Sequence, residues 1–144
     1  MARRNNSGDL EEIFEILVTS YAQKGGVIPG ESDMCWRPAT DAYETDEEFI
    51  VQVELAGMDP AQIEVLADKK SLVVRGIRQE SAVPGKKHFH KMEINVGPFV
   101  RKLAITVDVD PASARAKYIN GFLYVTFQKG PGPAGDRRHI TIDR

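Results

Sequence analysis

Arg115, Ala116, Lys117, Tyr118, Ile119, Asn120, Gly121, Phe122, Leu123, Tyr124, Val125, Thr126, Phe127 is the stretch that decides the fold. Asn followed by Gly is the strongest short-range hairpin signal, because both central residues of the tightest β-turn need positive φ. Leu123, Val125 and Phe127 share one face of the returning strand at period two. The same alternation recurs upstream, where Phe49, Val51, Val53 and Leu55 alternate with Ile50, Gln52 and Glu54. Residues 57–60 turn the chain, residues 63–67 and 71–77 read as strands around the turn Asp68, Lys69, Lys70, and residues 99–107 supply another. Many short strands with turn punctuation predict an all-β, immunoglobulin-like antiparallel β-sandwich.

The flanks read differently. Leu10, Ile13, Phe14, Leu17, Val18 and Tyr21 recur at helical spacing, which predicts an amphipathic helix over 10–24. Asp9 with Glu12 forms a candidate capping box, and Gly25 with Gly26 ends the pattern. Such a stripe packs on its own domain or serves as an interaction surface, and periodicity does not separate the two. At the other end, Gly130, Pro131, Gly132, Pro133, Ala134 and Gly135 have no hydrophobic period and read as a mobile linker. Ile140 and Ile142, with Thr141 between them, form a β-prone pair that faces one way, a plug on a tether that suits capture at an exposed sheet edge. The expected organisation is an N-terminal arm over 1–35, a sandwich over 36–129 and a C-terminal extension over 130–144.

With 144 residues, 42% hydrophobic and 28% charged, the chain suits one globular domain with extensions. Its 21 acidic and 19 basic side chains give a formal charge of −2, which argues against a nucleic-acid partner. Glu11, Glu12 and Glu15 interrupt the apolar positions near the start, arguing against a signal peptide or membrane partner. One cysteine, Cys35, offers neither an internal disulfide nor a thiol pair for metal, so a cytoplasmic location is expected. His88, His90 and Glu93 are the most tempting metal constellation, two imidazoles at i and i+2 with a carboxylate. They fall short of a cupin, because the only other histidine, His139, lies in the tail. Alternating polar residues on an exposed strand explain them more simply. Cys35 lacks a neighbouring histidine, no serine has a nucleophile-elbow context, and no GxxxxGK[ST] loop cradles phosphate. The expectation is a non-enzyme without cofactor or metal.

The hairpin with its preceding Ala114, Arg115, Ala116, Lys117 and Tyr118 resembles the signature of the small heat-shock proteins, the α-crystallin-domain family. Further pieces fall in the family's order: Leu55, Ala56, Gly57; Ile63, Glu64, Val65; Leu72, Val73, Val74, Arg75, Gly76; Phe89, His90, Lys91, Met92, Glu93; and the I-x-I of Ile140 and Ile142. The chain departs from the family at Ala56 and Thr106, where proline is usual, which loosens turns more than it alters the fold. The resemblance implies an ATP-independent holdase chaperone that binds unfolding client proteins in the stress response and assembles as homo-oligomers of dimers. It implies a dimer-forming strand within 79–93, with His88, Phe89, His90 and Met92 at the interface and Arg101 pairing with a carboxylate of the partner. It also implies a tail groove between the Ile63 strand and the Ala116 strand, with Ile63, Val65, Ala116 and Tyr118 as candidate lining. The eleven residue steps from Lys129 to Ile140 would extend to roughly 35 Å, enough to reach a neighbouring dimer. The helix stripe Leu10, Ile13, Phe14, Leu17, Val18 and Tyr21 would bind clients. A related CS-type adaptor sandwich is the non-chaperone alternative, and it lacks the I-x-I tail.

Overall fold

Asn120 and Gly121 take φ values of 52° and 84°, the left-handed pair a two-residue hairpin turn requires. Gly121 is fixed further by crowding, since a Cβ there would come within 3.2 Å of Ala56. The turn joins β6 (Val109–Ile119) to β7 (Phe122–Lys129), in register from Arg115 opposite Thr126 to Ile119 opposite Phe122. In the computed structural model, which describes residues 35–80 and 83–144, this hairpin organises one of two sheets. The helix expected over 10–24, with its candidate client-binding residues, lies outside the described residues.

The remaining strands are β1 (Thr40–Glu44), β2 (Glu48–Glu54), β3 (Ile63–Ala67), β4 (Ser71–Arg78), β5 (Gly97–Ala104), β8 (Arg138–His139) and β9 (Ile142–Asp143). One sheet has the order β1-β2-β7-β6-β9 and the other β5-β4-β3-β8. All pairings are antiparallel except β6 with β9. The expected β-sandwich is therefore the observed fold.

Period-two alternation builds the core. Phe49, Val51 and Val53 from β2, Leu123, Val125 and Phe127 from β7, Val65 and Ala67 from β3, Leu72 and Val74 from β4, and Phe99 from β5 are buried in one cluster. Gly76 sits where β4 crosses Phe99, and a Cβ there would run into the Gln62 carbonyl and the Phe99 ring. Asp59 starts the single turn of 3-10 helix, Pro60–Gln62, by accepting the Ala61 N–H at 3.0 Å. Asp68 organises the β3–β4 turn by accepting the N–H groups of Lys70 and Ser71 at 2.7 and 2.8 Å.

Candidate functional site: the tail groove and the loop cleft

On one side of the sandwich, the β3 edge of one sheet and the β6 edge of the other leave a groove, and the tail lies in it. β8 pairs with β3, Leu66 opposite His139 and Ala67 opposite Arg138. The Ile140 N–H donates to the Val65 carbonyl at 2.9 Å. β9 then pairs in parallel with β6, Ala116 opposite Ile142. Ile140 is 8% exposed and belongs to the main core, Ile142 is half-buried against it, and Thr141 between them is exposed. Ile63, Val65 and Ala116 are buried in the same cluster, and Tyr118 packs against it half-buried. The Tyr118 hydroxyl donates to the Leu55 carbonyl at 2.8 Å and accepts the Met58 N–H at 3.3 Å, tying the lip of the groove to the turn after β2. Removing an isoleucine side chain from water is worth about 2 kcal/mol.

Along the Gly- and Pro-rich tether, backbone groups and long cations make contacts that its composition does not announce. The Gly130 N–H donates to the Asp108 carbonyl at 2.8 Å. Lys69 Nζ donates to the Gly132 carbonyl at 2.9 Å and pairs with Asp108 at 3.2 Å. Gly132 passes so close to Asp110 that a Cβ would meet its Cα at 2.5 Å. Nearer the plug, Arg137 lies 3.9 Å from Asp68. Burial pushes the Asp68 carboxyl up, but the hydrogen bonds from Lys70 and Ser71 and the Arg137 charge outweigh it and hold the group below its ordinary value. Beyond the plug, Arg144 pairs with Asp59 at 3.3 Å. The tail therefore closes the groove of its own chain.

The opposite side is bounded by β1 and by β5, and Trp36 bridges in parallel to Phe99 of β5. Among the described residues, β1 pairs with β2 alone. The segment between β4 and β5, over 79–96, contains no strand among its described residues, and His88, Phe89, His90 and Met92 all face solvent. Phe89 is 58% exposed and Met92 64%, values that mark an unpartnered apolar surface. A cleft of about 1270 Å³ lies beneath this segment, with Trp36, Ala56, Arg78, Phe89 and Met92 among its walls. Trp36 anchors one wall: its Nε1 donates to the Gly97 carbonyl at 3.0 Å and its ring tilts against Phe99 at 5.4 Å. The Arg78 guanidinium sits 4.2 Å above that ring, a cation–π contact.

Arg101 lies on β5 opposite Val74, half-buried. Its Nε is buried without an acceptor among the described residues. Burial, and then the charge of Arg37, lower its pKa from the ordinary guanidinium value. A half-buried guanidinium with a buried Nε lacking an acceptor, beside another cation, is an environment a carboxylate relieves. His88 and His90 are exposed and Glu93 pairs with Lys91 at 3.4 Å. No group of three His, Cys, Asp or Glu able to hold a metal occurs among the described residues. Burial pushes the Cys35 thiol up, the opposite of what a nucleophile needs.

A family model, the Hsp20/alpha crystallin family, matches residues 41–143, from β1 through the tail plug. The chain belongs to this family. It is 29% identical over 92 residues to small heat shock protein C2 of Rickettsia felis, covering 64% of this chain and 60% of that protein. It is 32% identical over 94 residues to spore protein SP21 of Stigmatella aurantiaca, covering 65% and 56%. The chain thus spans less than two thirds of the length of these curated relatives. Among solved structures, HspA of Xanthomonas axonopodis is 33% identical with a TM-score of 0.60, covering 69% of this chain and 98% of that one. A small heat-shock protein of Xylella fastidiosa, described as having a distinct high order structure, is 31% identical with a TM-score of 0.59, covering 72% and 94%.

Sequence reasoning missed several parts of both sites. The pins Lys69, Asp108 and Gly132 carried no pattern, since they act through single backbone contacts. Arg37 and Arg78 come to the cleft from the chain before β1 and from the end of β4, and only the aromatic Trp36 between them hinted at a packed entry. Arg138 and His139 join the β3 ladder through their backbones, so their polar side chains gave no strand signal.

Proposed function

We propose that this Hsp20/alpha crystallin family protein is an ATP-independent holdase, binding unfolding proteins and preventing their aggregation, and that it works as an oligomer of dimers. The observation that carries the reading is Ile140, buried between the two sheets at the end of a tail held mainly by backbone bonds and surface ion pairs. The same two-residue pairings with β3 and β6 form equally well when the tail comes from another subunit, so exchanging it converts a closed monomer into a linked assembly. Dimers form first, through the 79–96 segment. That segment adds to a partner's sheet, and its exposed Phe89 and Met92 shed their apolar surface there. Arg101 then finds a partner carboxylate. The N-terminal stripe Leu10, Ile13, Phe14, Leu17, Val18 and Tyr21 binds clients, and the chain acts without catalysis.

Native mass by light scattering, on the intact chain beside an Ile140→Ala, Ile142→Ala double variant, tests this reading when combined with a thermal client-aggregation assay lacking ATP. The expected result is a large assembly that falls to dimers in the variant, with aggregation suppressed by the intact chain. A monomer that leaves client aggregation unchanged would overturn it and favour a CS-type adaptor.

A further inference from the structure

The two sheets differ in what happens on their outer faces. On β2 and β7, buried residues alternate with half-buried or exposed ones, as expected when one face meets solvent. β3 is buried at every position, and β4 at all but its two ends. Residues directly opposite across a ladder share a face, so His139, Leu66, Val73 and Lys102 form one row of the outer surface, and Glu64, Arg75 and Val100 the next. Leu66 and Val73 are only 2% and 3% exposed. They form a small apolar cluster with Val100, separate from the main core. Glu64 and Arg75 beside them are also buried and paired at 3.1 Å. Among the described residues, no strand or helical turn is laid across this face. Such burial requires a cover.

We propose that the cover is the amphipathic segment over 10–21 of the same chain. Its stripe of Leu10, Ile13, Phe14, Leu17, Val18 and Tyr21 would form, as a helix, an apolar strip about 18 Å long, more than enough to cross the Leu66, Val73 and Val100 patch, whose three adjacent strands span about 10 Å. Charge is complementary. The exposed Lys102 borders the patch, where Arg75 is already paired with Glu64, and the segment carries Glu11, Glu12 and Glu15. The path fits as well, because the chain enters the described region at this same sheet. The Trp36 N–H donates to the Pro98 carbonyl at 3.1 Å, and the Val100 N–H donates to the Trp36 carbonyl at 3.3 Å. Residues 22–34 extend to roughly 40 Å, several times the ~14 Å width of a four-stranded sheet. Docking hides the stripe and the sheet patch together, and release exposes both at once. That last consequence rests on the holdase reading, whereas the docking does not.

Limited chymotrypsin digestion of the full chain, followed by mass spectrometry at Phe14, Leu17 and Tyr21, tests the docking. Val73→Lys is expected to speed cleavage there at least ten-fold. Lys102→Glu, a change at an exposed position, is expected to speed it several-fold, with reversal when Glu11, Glu12 and Glu15 are changed to Lys in the same chain. Carbodiimide cross-linking of mixed light and 15N-labelled protein should join the segment's glutamates to Lys102 within isotopically pure chains. Unchanged cleavage in both variants, or cross-links mainly between light and heavy chains, overturns the proposal. If both variants open the segment yet client suppression stays the same, the docking stands and the client-binding role of the stripe falls.

Discussion

The tail side and the loop side of the sandwich start from the same problem, sheet edges with unspent backbone groups, and meet it in opposite ways. On the tail side the edges of β3 and β6 are paired by β8 and β9, and Ile140 seals the gap between them. On the loop side β1 has no second partner strand among the described residues, and the 79–96 segment displays Phe89, Met92 and Ile94 to solvent. An exposed edge beside exposed apolar side chains is a template for pairing with another chain. The contrast teaches that one fold can cover the sheet edges on one side with its own chain and leave apolar side chains exposed on the other.

The largest effect should come from Phe99→Ala, which empties the core where β5, β4 and Trp36 meet. A loss of about 3 to 5 kcal/mol is expected in guanidinium unfolding. A smaller loss would show that the loop side tolerates a cavity the tail side would not. Next comes Ile140→Ala, expected to cost about 2 to 3 kcal/mol and to open a protease site near Arg137 and Arg138. If stability falls without new cleavage, the tail stays in place and Ile140 is ordinary core.

The loop side should respond in association instead of stability. Phe89→Ser with Met92→Ser should leave single-chain unfolding within about 0.5 kcal/mol of the parent, while the dimer dissociation constant rises at least ten-fold by sedimentation. An unchanged constant would remove the 79–96 segment from the interface. Arg101→Gly should weaken the dimer by a smaller factor, and no change there would refute its pairing with a partner carboxylate.

The smallest effect concerns the tail's surface pin. Because the Asp68 pKa is held below its ordinary value, its contribution is fully present above that ordinary value and is lost as pH falls through the depressed one. Arg137→Ala removes the tail's tie to Asp68, so the tail should be looser at neutrality by less than about 1 kcal/mol and its further loosening in acid should be blunted. Proteolysis of the tail across an acid pH series reads this directly.

Strands with a clean period of two were legible from sequence. Residues 63–67 match β3 end to end, and the tight hairpin expected at Asn120 and Gly121 joins β6 to β7. β1 was not legible, because its residues are almost all exposed and so have no apolar alternation. The first half of β6 was hidden by Pro111 and by the register shift between Asp110 and Arg115. Nothing in the composition of the Gly- and Pro-rich tether encodes the Lys69 and Asp108 contacts along it. At the tail site, the apolar Ile140 and Ile142 were visible, whereas the neighbouring Arg138 and His139 pair through their backbones alone.

Trp36 is the chain's single tryptophan, and its ring is held between the Phe99 ring and the Arg78 guanidinium at the mouth of the loop cleft. Its emission is therefore a native optical reporter confined to one side of the molecule. A partner closing over the cleft should shift that emission, while a tail leaving its groove on the far side should pass unseen.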